Sequence, residues 1–325
     1  MGNRCRICGN TKRNKLYQIE ERMFNMGEDF EYLECSRCGT LQLNIRGIDF
    51  GKYYPANYGG FNTGVKEKGK AERIVSRIIA KTLTNLNYSL SNRLNDFLGG
   101  KFDYLQCFFG LKIKRTSRIL DVGCGSGEWL AKLSALGYEN LTGVDLYNHN
   151  KNREFEFIEG DIFSVPTKKK FDVITLHHSF EHMDSPEKNL LGCKALLADN
   201  GILIIRIPVM GKYAWKKYGT AWAQIDAPRH LFLYTEKSLN YLLKKCGLKL
   251  TAIRYDSNYL FQIGASEIYK KTRLSLQMAR RKGDLDEIST QDKKLVRRLN
   301  QRKNGDQAIF VIKSLAGCNK EGIDE

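Results

Sequence analysis

No stretch of this 325-residue chain approaches the roughly 18 consecutive apolar residues that a membrane span needs. The longest apolar run, ILIIRIPV from Ile202, has the length of a buried strand. The opening residues, MGNRCRICGN, contain no apolar signal core, and Arg6 breaks a myristoylation pattern, so a cytoplasmic location is expected. Acidic residues are scarce beside basic ones, 36 against 53, for a net charge of +17. The excess is spread over several segments, with one denser zone from Lys270 to Lys313, and does not alternate with aromatics on one surface. It reads first as a solvated face, with sugar nucleotides and nucleic acid both left open as partners. Hydrophobic residues make up 42% and charged ones 27%, which suits a globular chain of one large domain and a small one.

The chain is organised around Arg118 to Leu130, RILDVGCGSGEWL. A short apolar run turns through Gly123, Gly125 and Gly127 and continues as a helix with Trp129, Leu130, Leu133 and Leu136 on one face. Alternating glycines permit left-handed backbone and let a ligand lie against the main chain. The third glycine of a dinucleotide fingerprint is missing: Glu128 stands there and would oppose a pyrophosphate at the helix N-terminus. Asp121, at the end of the strand, suits a ligand carrying positive charge.

These residues resemble the first motif of the class I S-adenosylmethionine-dependent methyltransferases, and the resemblance continues in order to about residue 257. It implies an α/β fold, a Rossmann-like seven-stranded and mostly parallel sheet, with S-adenosyl-L-methionine as cofactor. Asp121, Gly123 and Gly125 would line its methionine end, Asp145 would take the ribose hydroxyls, and Asp161 with Ile162 would meet the adenine. Strands are expected near 118, 141, 155, 171 and 201, then LKLTAIRYDS as the sixth and QAIFVIKSL, Gln307 to Leu315, as an antiparallel seventh. Only nine residues separate Asp145 from Phe155, so the helix between them should shrink to about a turn.

Ahead of that domain, Cys5-Arg6-Ile7-Cys8-Gly9 and Cys35-Ser36-Arg37-Cys38-Gly39 form two matching knuckles. Four thiolates at this spacing close a structural Zn²⁺ site, with a redox dithiol as the lesser alternative. The glycine after each pair suits a tight turn with backbone N–H groups aimed at sulfur. The expected organisation is a zinc ribbon over 1–55, an aromatic joint and helical linker over 56–115, and the methyltransferase-like domain over 116–325. That last part carries a basic, largely helical insertion at about 258–305. Tyr53, Tyr54 and Tyr58 in the joint either pack the ribbon or reach substrate.

Three of the five histidines fall within His177 to His182, just after the fourth strand of the expected sheet. His177 would face the methyl-bearing end of the cofactor. A histidine beside a carboxylate suits proton removal from a methyl acceptor. A zinc ribbon, a tyrosine-rich joint, Glu-His after that strand, and Asp226-Ala227-Pro228-Arg229-His230 together resemble methyltransferases of sugar and surface-glycan biosynthesis. That resemblance implies Glu181 and His182 as the base, His178 in reserve, and Asp226, Arg229, His230 and Tyr58 on the acceptor side, with Arg229 meeting a phosphate. C- and O-methylation of a sugar or nucleotide-sugar are both open. The runner-up is a zinc-ribbon RNA methyltransferase, although the Asn/Asp-Pro-Pro-Tyr motif and a cysteine after the fourth strand are absent. A cofactor-binding protein without turnover is the third reading.

Overall fold

Lys15–Glu20 (β1) and Asp29–Glu34 (β2) pair antiparallel, Ile19 opposite Phe30, and Leu41–Leu43 (β3) extends the sheet. The computed structural model describes residues 2–45, 47–54, 69–147, 154–257, 263–272 and 290–315. The linker yields two helices, Lys70–Asn85 (α1) and Tyr88–Phe97 (α2). They break at Leu86 because the Asn87 side chain caps the second one, accepting the Leu90 N–H at 3.0 Å. A 3-10 stretch, Asp103–Phe108, follows.

Strands and helices then alternate: Arg118–Val122 (β4), Glu128–Ala135 (α3), Asn140–Asp145 (β5), Glu156–Glu159 (β6), Phe171–His177 (β7), Pro186–Leu196 (α4) and Leu197–Pro208 (β8). The shortened helix expected after Asp145 falls mainly on residues 148–153, outside the described residues. Tyr213–Tyr218 (α5), Phe232–Leu233 (β9), Glu236–Lys245 (α6), Leu248–Tyr255 (β10), Ala265–Lys271 (α7), Thr290–Gln301 (α8) and Gln307–Ser314 (β11) complete the order. Thr235 and Ser238 form a reciprocal capping box that starts α6. Of the basic insertion, α7 and α8 are helical, while 258–262 and 273–289 lie outside the described residues.

The main sheet has seven strands in the order β10-β11-β8-β7-β4-β5-β6. β4 runs parallel to β5 and β7, β5 is parallel to β6, and β10 is antiparallel to β11. This is the Rossmann-like, mostly parallel sheet expected. Its inner strands read as continuous apolar runs because both faces are covered: Ile119, Leu120, Ile174 and Leu176 have no exposed surface. The smaller sheet has the order β1-β2-β3-β9. Its fourth strand comes from far downstream, with Leu41 opposite Leu233 and Gln42 opposite Phe232.

The chain groups into two interleaved units. One comprises Met1–Pro55, His178–Leu190 and Ile205–Glu325; the other comprises Ala56–His177 and Leu191–Ile204. Among the described residues, no helix is long and apolar enough to cross a membrane.

Candidate functional site

The glycine loop lies in the second unit. After β4 the chain passes through Gly123, Gly125 and Gly127 at φ of +74°, +54° and +77°, backbone that a side-chain-bearing residue adopts only under strain. A Cβ on Gly127 would also collide with the ring of Phe155. The Gly125 N–H donates to Asp145 Oδ2 at 2.8 Å and the Tyr147 N–H to Oδ1 at 3.1 Å, so this carboxylate braces the loop against the end of β5. The Gly160 N–H donates to the Asp145 carbonyl at 2.8 Å, bringing the end of β6 alongside. Asp161 caps the turn Ile162–Ser164 by accepting the Phe163 N–H at 2.9 Å.

A pocket of about 230 Å³ opens beside the loop. Asp121, Gly123 and His177 line it, whereas Gly125, Asp145, Asp161 and Ile162 do not. Asp121 is 2% exposed and accepts a 2.7 Å hydrogen bond from the Thr175 hydroxyl. Burial lifts its carboxyl to about 7, against the lowering effect of Thr175. Glu128 is bridged at 2.5 Å by Lys132, one turn along α3, and both line the pocket. Trp129 corrects the expected helix face. Leu130, Leu133 and Leu136 are buried, but Trp129 turns to the pocket, its ring 4.4 Å from that of His177 and its Nε1–H donating to the Tyr104 carbonyl at 2.8 Å. Leu146, Tyr147 and Phe163, all more than half exposed, flank Asp145 and Asp161, while Ile162 is buried against Gly192.

The first unit gathers a second constellation. His178 follows β7 with φ of +50° and is held there by its N–H on the Arg206 carbonyl at 2.9 Å. Its Nδ1 lies 3.3 Å from Glu181 Oε1, and its side chain is 37% exposed against none for Glu181. Burial would raise the Glu181 carboxyl, but the hydrogen bond with His178 and the surrounding imidazoles outweigh it and bring it below the usual range. The Nδ1 of His182 is 2.8 Å from the Arg229 carbonyl, which only accepts, so that nitrogen carries the proton; the Tyr54 hydroxyl is 3.0 Å from it. His230 likewise donates from Nδ1 to the Gln224 carbonyl at 2.8 Å. Burial drops its imidazole to about 4. The rings of His182 and His230 are 4.7 Å apart.

Arg229 departs from its expected role. It is 1% exposed and spends its donors on protein: Nε and Nη2 on the two oxygens of Asp226 at 2.9 and 2.6 Å, Nη2 again on Glu21 at 2.7 Å, and Nη1 on the Tyr53 carbonyl at 3.2 Å. The guanidinium is thus engaged inside the fold, and no phosphate clamp remains. Asp226 sits at φ of +42°, its carboxyl lowered because Arg229 outweighs the effect of burial. Of the joint tyrosines, Tyr53 packs edge-on against Phe30, Tyr54 meets His182, and Tyr58 lies outside the described residues. Trp129 and Lys132 line the pocket although local pattern did not single them out for it.

The four cysteines converge. Cys5 and Cys38 sulfurs are 3.6 Å apart, Cys8 and Cys35 sulfurs 3.5 Å, and all four lie within 4.8 Å of one another. A tetrahedral Zn²⁺ with bonds of about 2.3 Å sets its sulfurs roughly 3.8 Å apart, so the donor set fits that ion. Gly9 and Gly39 are left-handed, and their N–H groups donate to the carbonyls of Cys5 and Cys35 at 2.9 and 2.8 Å, not to sulfur. The Cys38 N–H, 3.5 Å from Cys35 Sγ, takes that role. The knuckle is tied to the downstream chain by the Thr235 hydroxyl, which donates to the Cys38 carbonyl at 2.7 Å.

Residues 97–253 match a family model described as a methyltransferase domain. The malonyl-[acyl-carrier protein] O-methyltransferase of Halalkalibacterium halodurans is 31% identical over 101 residues, 26% of this chain and 37% of its own length. The mitochondrial ubiquinone biosynthesis O-methyltransferase of Schizosaccharomyces pombe is 30% identical over 128 residues, 35% of this chain and 44% of its own length. The chain thus spans less than half the length of these curated relatives. Among solved structures, a SAM-dependent methyltransferase from Archaeoglobus fulgidus matches with a TM-score of 0.40 and 20% identity, covering 68% of this chain and 92% of its own. The Burkholderia thailandensis 1,6-didemethyltoxoflavin-N1-methyltransferase matches with a TM-score of 0.39 and 13% identity, covering 78% and 94%.

Proposed function

We propose that this chain is an S-adenosyl-L-methionine-dependent methyltransferase acting on a sugar or nucleotide-linked sugar, with a structural zinc ion in its four-cysteine site. The observation that carries the reading is the glycine-floored pocket with a buried carboxylate, Asp121, in its wall and a second one, Asp145, bracing the loop. A dinucleotide would bring a pyrophosphate against Asp121 and Glu128, which repel it. S-adenosylmethionine supplies, when bound, a positively charged amino-acid end and an electrophilic methyl on sulfonium. Asp121 would take the ammonium and Asp145 the ribose hydroxyls, while Leu146, Tyr147 and Phe163 would shelter the adenine next to Asp161. The match of residues 97–253 to a methyltransferase domain supports the same cofactor.

Methyl transfer to a hydroxyl, or to carbon beside a keto group, requires that the acceptor lose a proton. We assign that step to His178. Glu181 orients its Nδ1, which leaves Nε2 as the accepting lone pair on a half-exposed ring. The choice moves from His182 to His178 because the Nδ1–H of His182 is held by a backbone carbonyl and Glu181 pairs with the other ring. His177 lines the cofactor pocket and His178 is the next residue in the chain. The sugar class rests on the sequence resemblance, and the two O-methyltransferase relatives favour an oxygen acceptor.

The test is a thermal-shift screen of the purified chain, with S-adenosylhomocysteine present, against nucleotide sugars and structured RNA, followed by mass spectrometry of products. An added shift and a product 14 mass units heavier with a nucleotide sugar is expected, the increment being that of one methyl for one hydrogen (about 14 Da). A salt-sensitive response to RNA alone overturns the acceptor class. His178→Asn should lower turnover by about 10²- to 10⁴-fold with S-adenosylhomocysteine affinity unchanged; unaltered turnover removes His178 from the chemistry.

A further inference from the structure

The imidazole and carboxylate cluster of the first unit contains more acceptors than one proton transfer uses. Glu181, His182 and His230 each present a ligand atom, all within 4.8 Å of one another. Both rings have their Nδ1–H satisfied by a backbone carbonyl at 2.8 Å, which fixes the lone pair on Nε2. That arrangement, a carbonyl behind each imidazole, is how proteins orient histidines that bind metals. His230 Nε2 lies 3.9 Å from Glu181 Oε1. Ligands on an ion at about 2.1 Å are roughly 3.0–3.4 Å apart when adjacent and about 4.2 Å apart when opposed, so the spacing falls inside the range of a shared ion.

The carboxylate supplies an independent observation. Glu181 has no exposed side-chain surface, and its Oε2 finds no hydrogen-bond partner among the described residues. Oε1 meets His178, which leaves Oε2 as a buried carboxylate oxygen with no hydrogen bond among the described residues. A buried anionic acceptor left unpaired is destabilising, and a bound cation removes that penalty. The surrounding frame is held by hydrogen bonds and ion pairs. Arg229, whose carbonyl receives His182, is fixed by Asp226 and Glu21, and the Leu231 N–H donates to the Glu181 carbonyl at 2.8 Å.

We infer that Glu181, His182 and His230 hold a divalent transition-metal ion, with open coordination positions for an oxygen of the acceptor. Two imidazoles and one carboxylate select zinc, iron(II), cobalt or manganese over magnesium or calcium, which favour all-oxygen sites. The site is separate from the four cysteines. Its use rests on the methyl-transfer reading: an alkoxide or enolate oxygen bound to the ion is stabilised, and the proton goes to His178. No ligand of the ion then doubles as the base.

The experiment uses the full chain with its cysteine site already filled with zinc, titrated with Co²⁺ and read by optical absorption and by metal analysis after gel filtration. One further equivalent per chain is expected, with weak d–d bands and no thiolate charge-transfer band. Glu181→Gln, which keeps the shape of the buried group, and His182→Gln should each lose that equivalent while retaining zinc and a native melting transition. Wild-type protein that takes up no metal beyond the cysteine site overturns the inference, as does retention of the second equivalent by both variants. The wild-type titration decides the matter even if a variant fails to fold. S-adenosylhomocysteine titration on the same samples separates the two readings: one metal with intact cofactor binding removes this site alone, and two metals without cofactor binding removes the methyltransferase reading.

Discussion

Asp121→Asn should make the cofactor-free protein more stable and the cofactor weaker-binding, and the size of both effects follows from burial. Folding lifts this carboxyl from 3.8 to about 7. Its folded value lies above its unfolded one, so the ionised form is disfavoured by folding. The penalty is absent below pH 4, grows as pH rises, and is fully present above 7. Three units at about 1.4 kcal/mol each give roughly 4 kcal/mol at pH 8 and, from the same relation, about 2 kcal/mol at pH 5. Asparagine removes this penalty and keeps an oxygen for the Thr175 hydroxyl, but buries an amide NH₂ at a cost of about 1–3 kcal/mol. Relative to wild type, the variant should therefore gain about 2 kcal/mol between pH 5 and pH 8, read as the difference in urea unfolding free energies. Any effect of acid on the cysteine site is common to both proteins and cancels. S-adenosylhomocysteine affinity should fall about 10- to 100-fold in the variant, the worth of a charge-assisted hydrogen bond. In the wild type, calorimetric titration should show affinity dropping tenfold per pH unit below 7 and level above it; in the variant this dependence on Asp121 vanishes. A variant with the same stability difference at both pH values, or a wild type whose affinity ignores pH between 5 and 7, would refute the reasoning.

Arg229→Met should cost about 3–5 kcal/mol in chemical denaturation, because Glu21 and Asp226 are left buried without their cation. Adding Glu21→Gln and Asp226→Asn should recover most of that loss, and failure to recover would mean the guanidinium serves otherwise. Cys38→Ser, or strong chelation, should release the metal and loosen the segment after Leu231 while leaving S-adenosylhomocysteine affinity within about threefold; hydrogen exchange at Phe232–Tyr234 reads the first effect. Gly127→Ala should lower both stability and cofactor affinity, since φ of +77° and the ring of Phe155 each oppose a methyl group there; unchanged thermal unfolding would count against the tightness of this turn.

The alternation of apolar runs with helical pattern made the main sheet legible, down to the antiparallel Gln307–Ser314, because central strands carry their burial in their own residues. The strand-end acids could be picked out for the same reason. Trp129 was harder: on a helix it shares a face with Leu130 and Leu133 by spacing alone, and only the position of His177 decides that its ring turns to the pocket. Arg229 shows a sharper limit. A buried ion pair and a phosphate clamp have the same local sequence, and the partner that distinguishes them, Glu21, lies 208 residues away. The pairing of β3 with β9 left no trace either, since a two-residue edge strand has no period to read.

That fourth strand leaves the ribosome long after the three it completes. Thr235, which locks the second knuckle, is 197 residues beyond Cys38. At about 5–20 residues per second, the knuckles wait roughly 10–40 s for their last neighbours. Until then Leu41, Gln42 and Leu43, all fully covered in the finished protein, lack the strand that pairs with β3. Most of the second unit, Ala56–His177, is translated in the meantime. The N-terminal strands are thus made well before the strand that completes their sheet.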